Sequence, residues 1–408
     1  MRSQVITKRM VFTAWKLVKK NQGGFGVDRI SLKEYERDLK NNLYKLWIRL
    51  NSGSYHPLPV KVVAIPKGKD KIRKLGIPTV EDRIAQMVIK QCLEPRFEKV
   101  FHKDSYGYRP KRSALGAIKS VRNNCWKYPW VLDMDIQGFF DTLDHKLLLK
   151  AIRRHVPEKW IRMYLNRWLE APMQELGILK ERTKGTPQGG VISPLLANLY
   201  LHYTFDKWME REFPNLSFVR YADDIIVHGI TKKQLDFVLL MVSKRMKSCG
   251  LRLHPEKTKI VYCQNGRRKE EATHRSFKFL GYTFQPRMTR DTKGEYRVGF
   301  LPAVSIESKR ELSNKLRRLR IPRRTRWTIY DIAKEVNPML RGWINYFGKF
   351  YPSALNSLLF KLNWKLMRWV INTFKRFKRS KKRAIRFLKL IYKQEPKLFA
   401  HWEFGIAF

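Results

Sequence analysis

FVRYADDIIVHG, residues 218–229, sets two adjacent aspartates, Asp223 and Asp224, between two short runs of apolar β-formers. Such runs around a short polar centre read as a β-hairpin with both carboxylates at its tip. The surrounding chain is basic, with 85 Lys and Arg against 35 Asp and Glu in 408 residues and a formal net charge of +50. Two ionised carboxylates side by side repel each other unless a cation shares them. The tip therefore reads as a Mg²⁺ site within a surface made for polyanions. By itself it reads equally well as an exposed Asp-Asp turn.

A second acidic stretch, VLDMDIQGFFD at 131–141, offers Asp133, Asp135 and Asp141. Strand alternation puts Asp133 and Asp135 on one side and Met134 and Ile136 on the other. A carboxylate from this strand set against the Asp223–Asp224 tip makes the acidic cluster that two Mg²⁺ ions need. One ion activates an attacking hydroxyl and the other holds a triphosphate. That is nucleotidyl transfer, in which positioning and charge neutralisation supply most of the catalysis. Between the two motifs, GTPQGG (185–190) is a Gly- and Pro-rich turn that opens a long helix from SPLLANLYL onward. Gly185, Gly189 and Gly190 allow close backbone approach, Gln188 offers an amide to a base or sugar, and Ser193 reads as the helix N-cap.

The bulk composition agrees with this reading. With 43% hydrophobic and 13% aromatic residues the chain can build a core, which excludes a disordered basic tail. Its length fits two or three domains. The charge makes nucleic acid the first candidate partner, and no apolar run is long enough to span a membrane. Cys92, Cys125, Cys249 and Cys263 are scattered without a CxxC pair, which argues against a zinc ribbon and for a reducing, cytoplasmic compartment. His102, His145, His228 and His254 lack ligand-like spacing and read as structural or surface groups. The basic start of the chain reads as a surface helix.

YHPLPVKVVAIPK and KIRKLGIP read as two strands, HKLLLKAIRRHV and KKQLDFVLLMVSKRMKSCG as helices, and three amphipathic helices follow residue 300. The pattern is an α+β region followed by a helical bundle. In the basic tail, Phe374, Phe377, Phe387 and Tyr392 interleave with Lys and Arg, the composition that holds RNA through phosphates and stacked bases.

With these blocks in view, the chain resembles the reverse transcriptases encoded by group II introns. The resemblance rests on GVDRIS (26–31), IPKGKDKIRKLGIPTVEDR (65–83), SYGYRPKRSA (105–114), DMDIQGFFD, GTPQGG with SPLLANLYL, RYADD, LRLHPEKTKI (251–260), KFLGYTF (278–284) and LRGWINYF (340–347), in the family's order. It implies a right-hand polymerase with fingers and palm of reverse transcriptase type, followed by a helical thumb or maturase bundle. The expected divisions are 1–125 for the N-terminal extension and fingers, 126–295 for the palm, 300–375 for the thumb/maturase helices and 376–408 for the basic tail.

The resemblance also implies roles. In such polymerases the first metal-binding carboxylate lies five residues before a bulky side chain that closes on the sugar. Counting from Asp135 reaches Phe140, whereas counting from Asp133 reaches Gly138. Asp135, Asp223 and Asp224, with the Ile136 carbonyl, are then expected to hold two Mg²⁺ ions, with Mn²⁺ as a substitute. Phe140 is expected to exclude a ribose 2′-hydroxyl, which disfavours an RNA-dependent RNA polymerase. Lys67 and Arg73 are expected to clamp the incoming dNTP, with Gln188 beside it, and Lys257 to lie near the departing pyrophosphate. Phe279, Leu280 and Gly281 resemble the segment that grips the primer. Trp343, Tyr346 and Phe347 are expected in the bundle core.

The implied partners are group II intron RNA, an RNA template with a DNA primer, target DNA and dNTPs, with no membrane. No HNH-like stretch with paired Cys and His is present, so the resemblance is to the short lineages without an endonuclease. Arg29 and Lys111 stand where the family usually has Gly. Two other readings remain: an RNA-binding splicing factor with an idle polymerase, and a related reverse transcriptase recruited to another role such as phage defence.

Overall fold

The computed structural model describes residues 6–66, 72–268, 270–290, 294–378 and 380–408. The chain divides into two compact units, residues 1–117 with 132–259 and residues 118–131 with 260–408.

In the first unit, the basic N-terminal helix Lys8–Asn21 buries Val11, Ala14, Trp15 and Val18 along one face, the spacing of a surface helix. In GVDRIS, Ser31 caps the next helix in a reciprocal capping box with Glu34. Asp28 Oδ1 accepts the Ile30 N–H at 3.2 Å and braces the entry to that helix. Arg29 and Lys111 both have positive φ, 57° and 59°. That accounts for the glycine usual at these positions, since a left-handed residue with a Cβ costs about 1 kcal/mol.

The Val- and Ile-rich run β1 (Val60–Pro66) pairs antiparallel with β2 (Ile72–Ile77), placing Ile65 opposite Arg73. The strand β3 (Trp130–Asp135) has buried Met134 between half-buried Asp133 and Asp135, the alternation expected from the sequence. A small hairpin, β4 (Met173–Glu175) and β5 (Ile178–Lys180), extends the first sheet to the order β2-β1-β4-β5. The strands β6 (Ser217–Tyr221) and β7 (Asp224–Gly229) join β3 in a second sheet with β7 between β6 and β3, and β8 (Lys259–Tyr262) follows them in the chain. This order sets the strand ending in Asp135 beside the strand beginning with Asp224.

The long helix expected after GTPQGG runs from Ser193 to Glu212, but His202–Asp206 form a π turn inside it. Ser193 is its first helical residue rather than its cap, and its hydroxyl accepts a hydrogen bond from Thr186 Oγ1 at 2.8 Å. The helix Lys232–Ser248 ends before Gly250, whose φ of 72° provides the left-handed stop.

In the second unit, β9 (Phe277–Phe279), β10 (Tyr282–Arg290) and β11 (Tyr296–Val304) form an antiparallel sheet. The helices Ile306–Arg318, Ile329–Phe347, Asn356–Thr373 and Lys381–Gln394 follow. Leu340, Trp343, Leu359, Leu366 and Leu388 lie in their common core, and Phe347 packs against it. Tyr346 instead turns its hydroxyl to the Leu280 carbonyl at 2.9 Å.

The tail aromatics differ from expectation. Phe374, Phe377 and Phe387 pack on one another at centroid distances of 5.0–6.0 Å, and Tyr392 packs on Trp402. Burying one such ring is worth about 2 kcal/mol, far more than an exposed ion pair. These rings therefore help hold the basic helix to the bundle, with Phe377 buried and Phe374, Phe387 and Tyr392 half-buried. Among the described residues no helix is long and apolar enough to cross a membrane.

Candidate active site

The aspartate hairpin forms as the sequence predicts. Tyr221 pairs with Asp224, leaving Ala222 and Asp223 as a two-residue loop. Asp223 is thus the tip, and Asp224 opens β7. Ala222 has φ 55°, a conformation that costs a residue with a Cβ about 1 kcal/mol and persists only where neighbours enforce it.

Asp135 closes β3, and its carbonyl accepts the His254 N–H at 2.7 Å. Its Oδ2 lies 2.6 Å from Lys257 Nζ. Burial pushes the Asp133 carboxyl up to about 8, and the negative charges of Asp224 and Asp135 add to that, against a pull downward from Lys259. Carboxylates are therefore crowded here, and an ammonium already sits on one of them.

Arg73, Asp135, Phe140, Gln188, Asp223 and Lys257 line one cavity of about 550 Å³. Arg73 Nε donates to Gln188 Oε1 at 2.8 Å, which ties the finger strand β2 to the GTPQGG loop. Gly76 N–H donates to the Gln188 carbonyl at 2.8 Å. A Cβ on Gly189, at φ 122°, would lie 2.5 Å from the Gly76 oxygen, and one on Gly185 would lie 2.8 Å from the Phe140 and Asp141 oxygens. Gly185 and Gly189 are thus required by backbone contact. Behind the loop, Gln86 Oε1 accepts the Ile192 N–H, and Gln86 Nε2 donates to Asp82 Oδ2.

Phe140 is buried and packs edge-on against Phe139. Lys67 lies outside the described residues. Phe279, Leu280 and Gly281 sit in the second unit, where Leu280 and Gly281 form the β9–β10 turn with φ 50° and 80°. The Gly281 carbonyl accepts from Ser305 N and Ser308 Oγ, fixing that turn to the first bundle helix.

Sequence reasoning missed Arg182. It is buried, it lines the cavity, and burial brings its guanidinium down to about 10. Its Nη2 donates to the Ala171 carbonyl, while Nε and Nη1 find no acceptor among the described residues. His254, expected to be structural or on the surface, also lines the cavity. An Arg in a charged stretch such as KERTK gives no signal of burial.

No three His, Cys, Asp or Glu among the described residues form a ready-made metal cage. The donors that do meet are hard oxygens, which suit Mg²⁺ rather than a soft metal.

The family model described as reverse transcriptase (RNA-dependent DNA polymerase) matches residues 65–284, and that of the group II intron maturase-specific domain matches 309–387. Protein YkfC of Escherichia coli is 34% identical over 67% of this chain and 78% of its own length. The group II intron-encoded protein LtrA of Lactococcus lactis is 36% identical over 40% of this chain, which spans 27% of that relative. A solved telomerase from Candida albicans aligns with a TM-score of 0.48 at 12% identity, covering 92% of this chain and 68% of that one. The aspartate hairpin and the glycine-bound loop lie within the first matched region and most of the helical bundle within the second, and the chain belongs to the reverse transcriptase family of RNA-dependent DNA polymerases, with a group II intron maturase-specific domain following the polymerase.

Proposed function

We propose that the 550 Å³ cavity is the nucleotide-addition centre of a reverse transcriptase that extends a DNA primer on an RNA template, with Asp135, Asp223 and Asp224 and the Ile136 carbonyl holding two Mg²⁺ ions. The observation that carries this reading is that Asp135, at the end of β3, and Asp223, at the hairpin tip, share one cavity with Arg73, Gln188 and Phe140. When bound, the ions would activate the primer hydroxyl and neutralise the triphosphate.

The chain's own side chains account for the remaining requirements. Arg73, already oriented by Gln188, offers a forked donor to the triphosphate, with Lys67 as its companion. Phe140 walls the sugar and excludes a 2′-hydroxyl. Lys257 holds its ammonium 2.6 Å from Asp135, within reach of a leaving pyrophosphate whose charge it would stabilise or protonate. Phe279, Leu280 and Gly281 form the primer-grip turn.

In this reading residues 1–125 serve as fingers, 126–295 as palm, 300–375 as thumb and maturase helices, and 376–408 as a basic tail. Their exposed Lys and Arg bind group II intron RNA to assist its splicing and mobility into target DNA, in a cytoplasmic setting. The test is dNTP incorporation by Asp223→Ala on a primed RNA template. Loss of incorporation with intron RNA binding retained supports the proposal, and full activity would overturn it.

A further inference from the structure

The strained loop residue Ala222 is held from behind by side chains that touch no substrate. Arg220, fully buried, divides its guanidinium donors among three residues. Nη1 donates to the Ala222 carbonyl at 3.2 Å and to Asn198 Oδ1 at 3.0 Å, while Nε and Nη2 grip Asp206 Oδ1 and Oδ2 at 2.7 and 2.6 Å. Asp206 is also fully buried. Burial opposes its ionisation, yet the Arg220 charge, with His202, holds its carboxyl below the ordinary range.

A second grip comes from the SYGYR block. Ser105 bridges to Arg220 in parallel, with Tyr106 N–H donating to the Arg220 carbonyl at 2.8 Å and Arg220 N–H donating to the Asp104 carbonyl at 2.9 Å. Asn198 Nδ2 donates to the Gly107 carbonyl at 2.7 Å, so one side chain ties this loop and the Arg220 fork together. A Cβ on Gly107 would lie 2.4 Å from Ala222 N, so only glycine permits this close approach to the turn. Arg109 anchors the loop's far end through the His102 and Ser105 carbonyls and the Glu98 carboxylate.

We propose that Arg220, with Asp206 and Asn198, is a positioning element for the Asp223–Asp224 turn: it fixes the Ala222 peptide and thereby sets the carboxylates for divalent ions. This rests on the reading that Asp223 and Asp224 bind those ions. A buried Arg–Asp pair contributes little to net stability compared with apolar side chains of similar volume. Stability alone therefore does not explain why one guanidinium donor is directed at the Ala222 carbonyl, next to the metal-binding aspartates.

A scaffold and a positioning element respond differently when the buried charges are removed. The double variant Asp206→Leu with Arg220→Met removes both charges together while keeping apolar volume. Melting, hydrogen exchange at 221–224, Mn²⁺ binding by electron paramagnetic resonance, and Mg²⁺ dependence of primer extension are read on the full-length chain. The expected result is a near-normal melting temperature, faster exchange in the turn, and Mn²⁺ affinity about tenfold weaker, as outer-shell changes do elsewhere. The Mg²⁺ needed for half-maximal rate rises in parallel, while dNTP KM at saturating Mg²⁺ stays within about threefold.

Wild-type Mn²⁺ affinity and turn exchange in a folded double variant overturn the proposal. If that variant does not fold, Asn198→Ala, which keeps the Arg220–Asp206 pair, must show the same effects at smaller size, and their absence is equally decisive. Asp223→Ala serves as the control: activity there removes the metal reading itself, whereas an inactive control beside an unaffected double variant removes only the positioning role.

Discussion

Lys257 Nζ lies 2.6 Å from Asp135 Oδ2, so the first carboxylate of the proposed polymerase centre already has a cationic partner from the LHPEKT loop. Lys257 reaches the cavity from a segment tied to β3 through the His254 N–H on the Asp135 carbonyl. Lys257→Ala is expected to slow nucleotide addition by about 10²-fold, in the range of a lost general acid. Lys257→Arg separates the two chemical roles. Recovery of most of the rate marks electrostatic stabilisation, and no recovery marks proton donation. Single-turnover incorporation is the measurement, and a wild-type rate for the alanine variant removes Lys257 from the reaction.

Phe140→Val and Phe140→Ala should admit ribonucleotides. The measurement is the ratio of kcat/KM for a dNTP over its rNTP, expected to fall by about tenfold or more for each variant as one clash of about 1–3 kcal/mol is relieved. An unchanged ratio shows that Phe140 is core alone.

Neutralising Lys375, Arg376, Lys381, Lys382, Arg386 and Lys389 together should weaken RNA binding and flatten its dependence on salt. The log–log slope should fall by about 0.7–0.9 for every phosphate that is no longer neutralised. The rings at 374, 377 and 387 must be left intact, because they pack the helix onto the bundle. An unchanged slope identifies the run as solvated surface.

Asp82 predicts a pH dependence of stability. It is buried and accepts hydrogen bonds from Tyr55, Trp168 and Gln86, and burial pushes its carboxyl up to about 6. Because its folded pKa lies above the unfolded value, its stabilising contribution is full below about pH 4 and is lost as pH rises through 6. Two pKa units correspond to about 3 kcal/mol. Asp82→Asn should remove that part of the slope between pH 4 and 7 in denaturant titrations. The slope is the diagnostic quantity, since Asn also sets an amide against Gln86 and changes the absolute value. An identical slope in the variant would show that Asp82 does not titrate there.

Much of the candidate site is legible in the sequence because its signals are local. Asp223 and Asp224 between β-formers, Asp135 in an alternating strand and Gln188 among glycines each carry their meaning within about ten residues. What is not legible depends on distant parts of the chain. Arg182 and Arg220 look like any other Arg in a chain rich in them, and only tertiary packing reveals that both are buried. The tail aromatics are ambiguous for a related reason: a basic amphipathic helix and an RNA-stacking segment share one composition, and only the fold shows that these rings pack on the bundle. Ser193 is not the cap because Ile192 holds that position and Ser193 is already helical, and its hydroxyl accepts from Thr186 instead.

The π turn at His202–Asp206 has a consequence for how this helix tolerates changes in length. Asn198 and Asp206 both reach Arg220, although eight residues of uninterrupted α-helix would leave them about 80° apart. The wider turn absorbs the excess, so eight residues face as seven would. It is in effect a stored insertion. A one-residue deletion within 202–205 would straighten the helix and leave Asp206 facing Arg220, whereas the same deletion between 199 and 201 with the π turn retained would rotate the pair out of register. In this helix, the position of a length change matters more than its size.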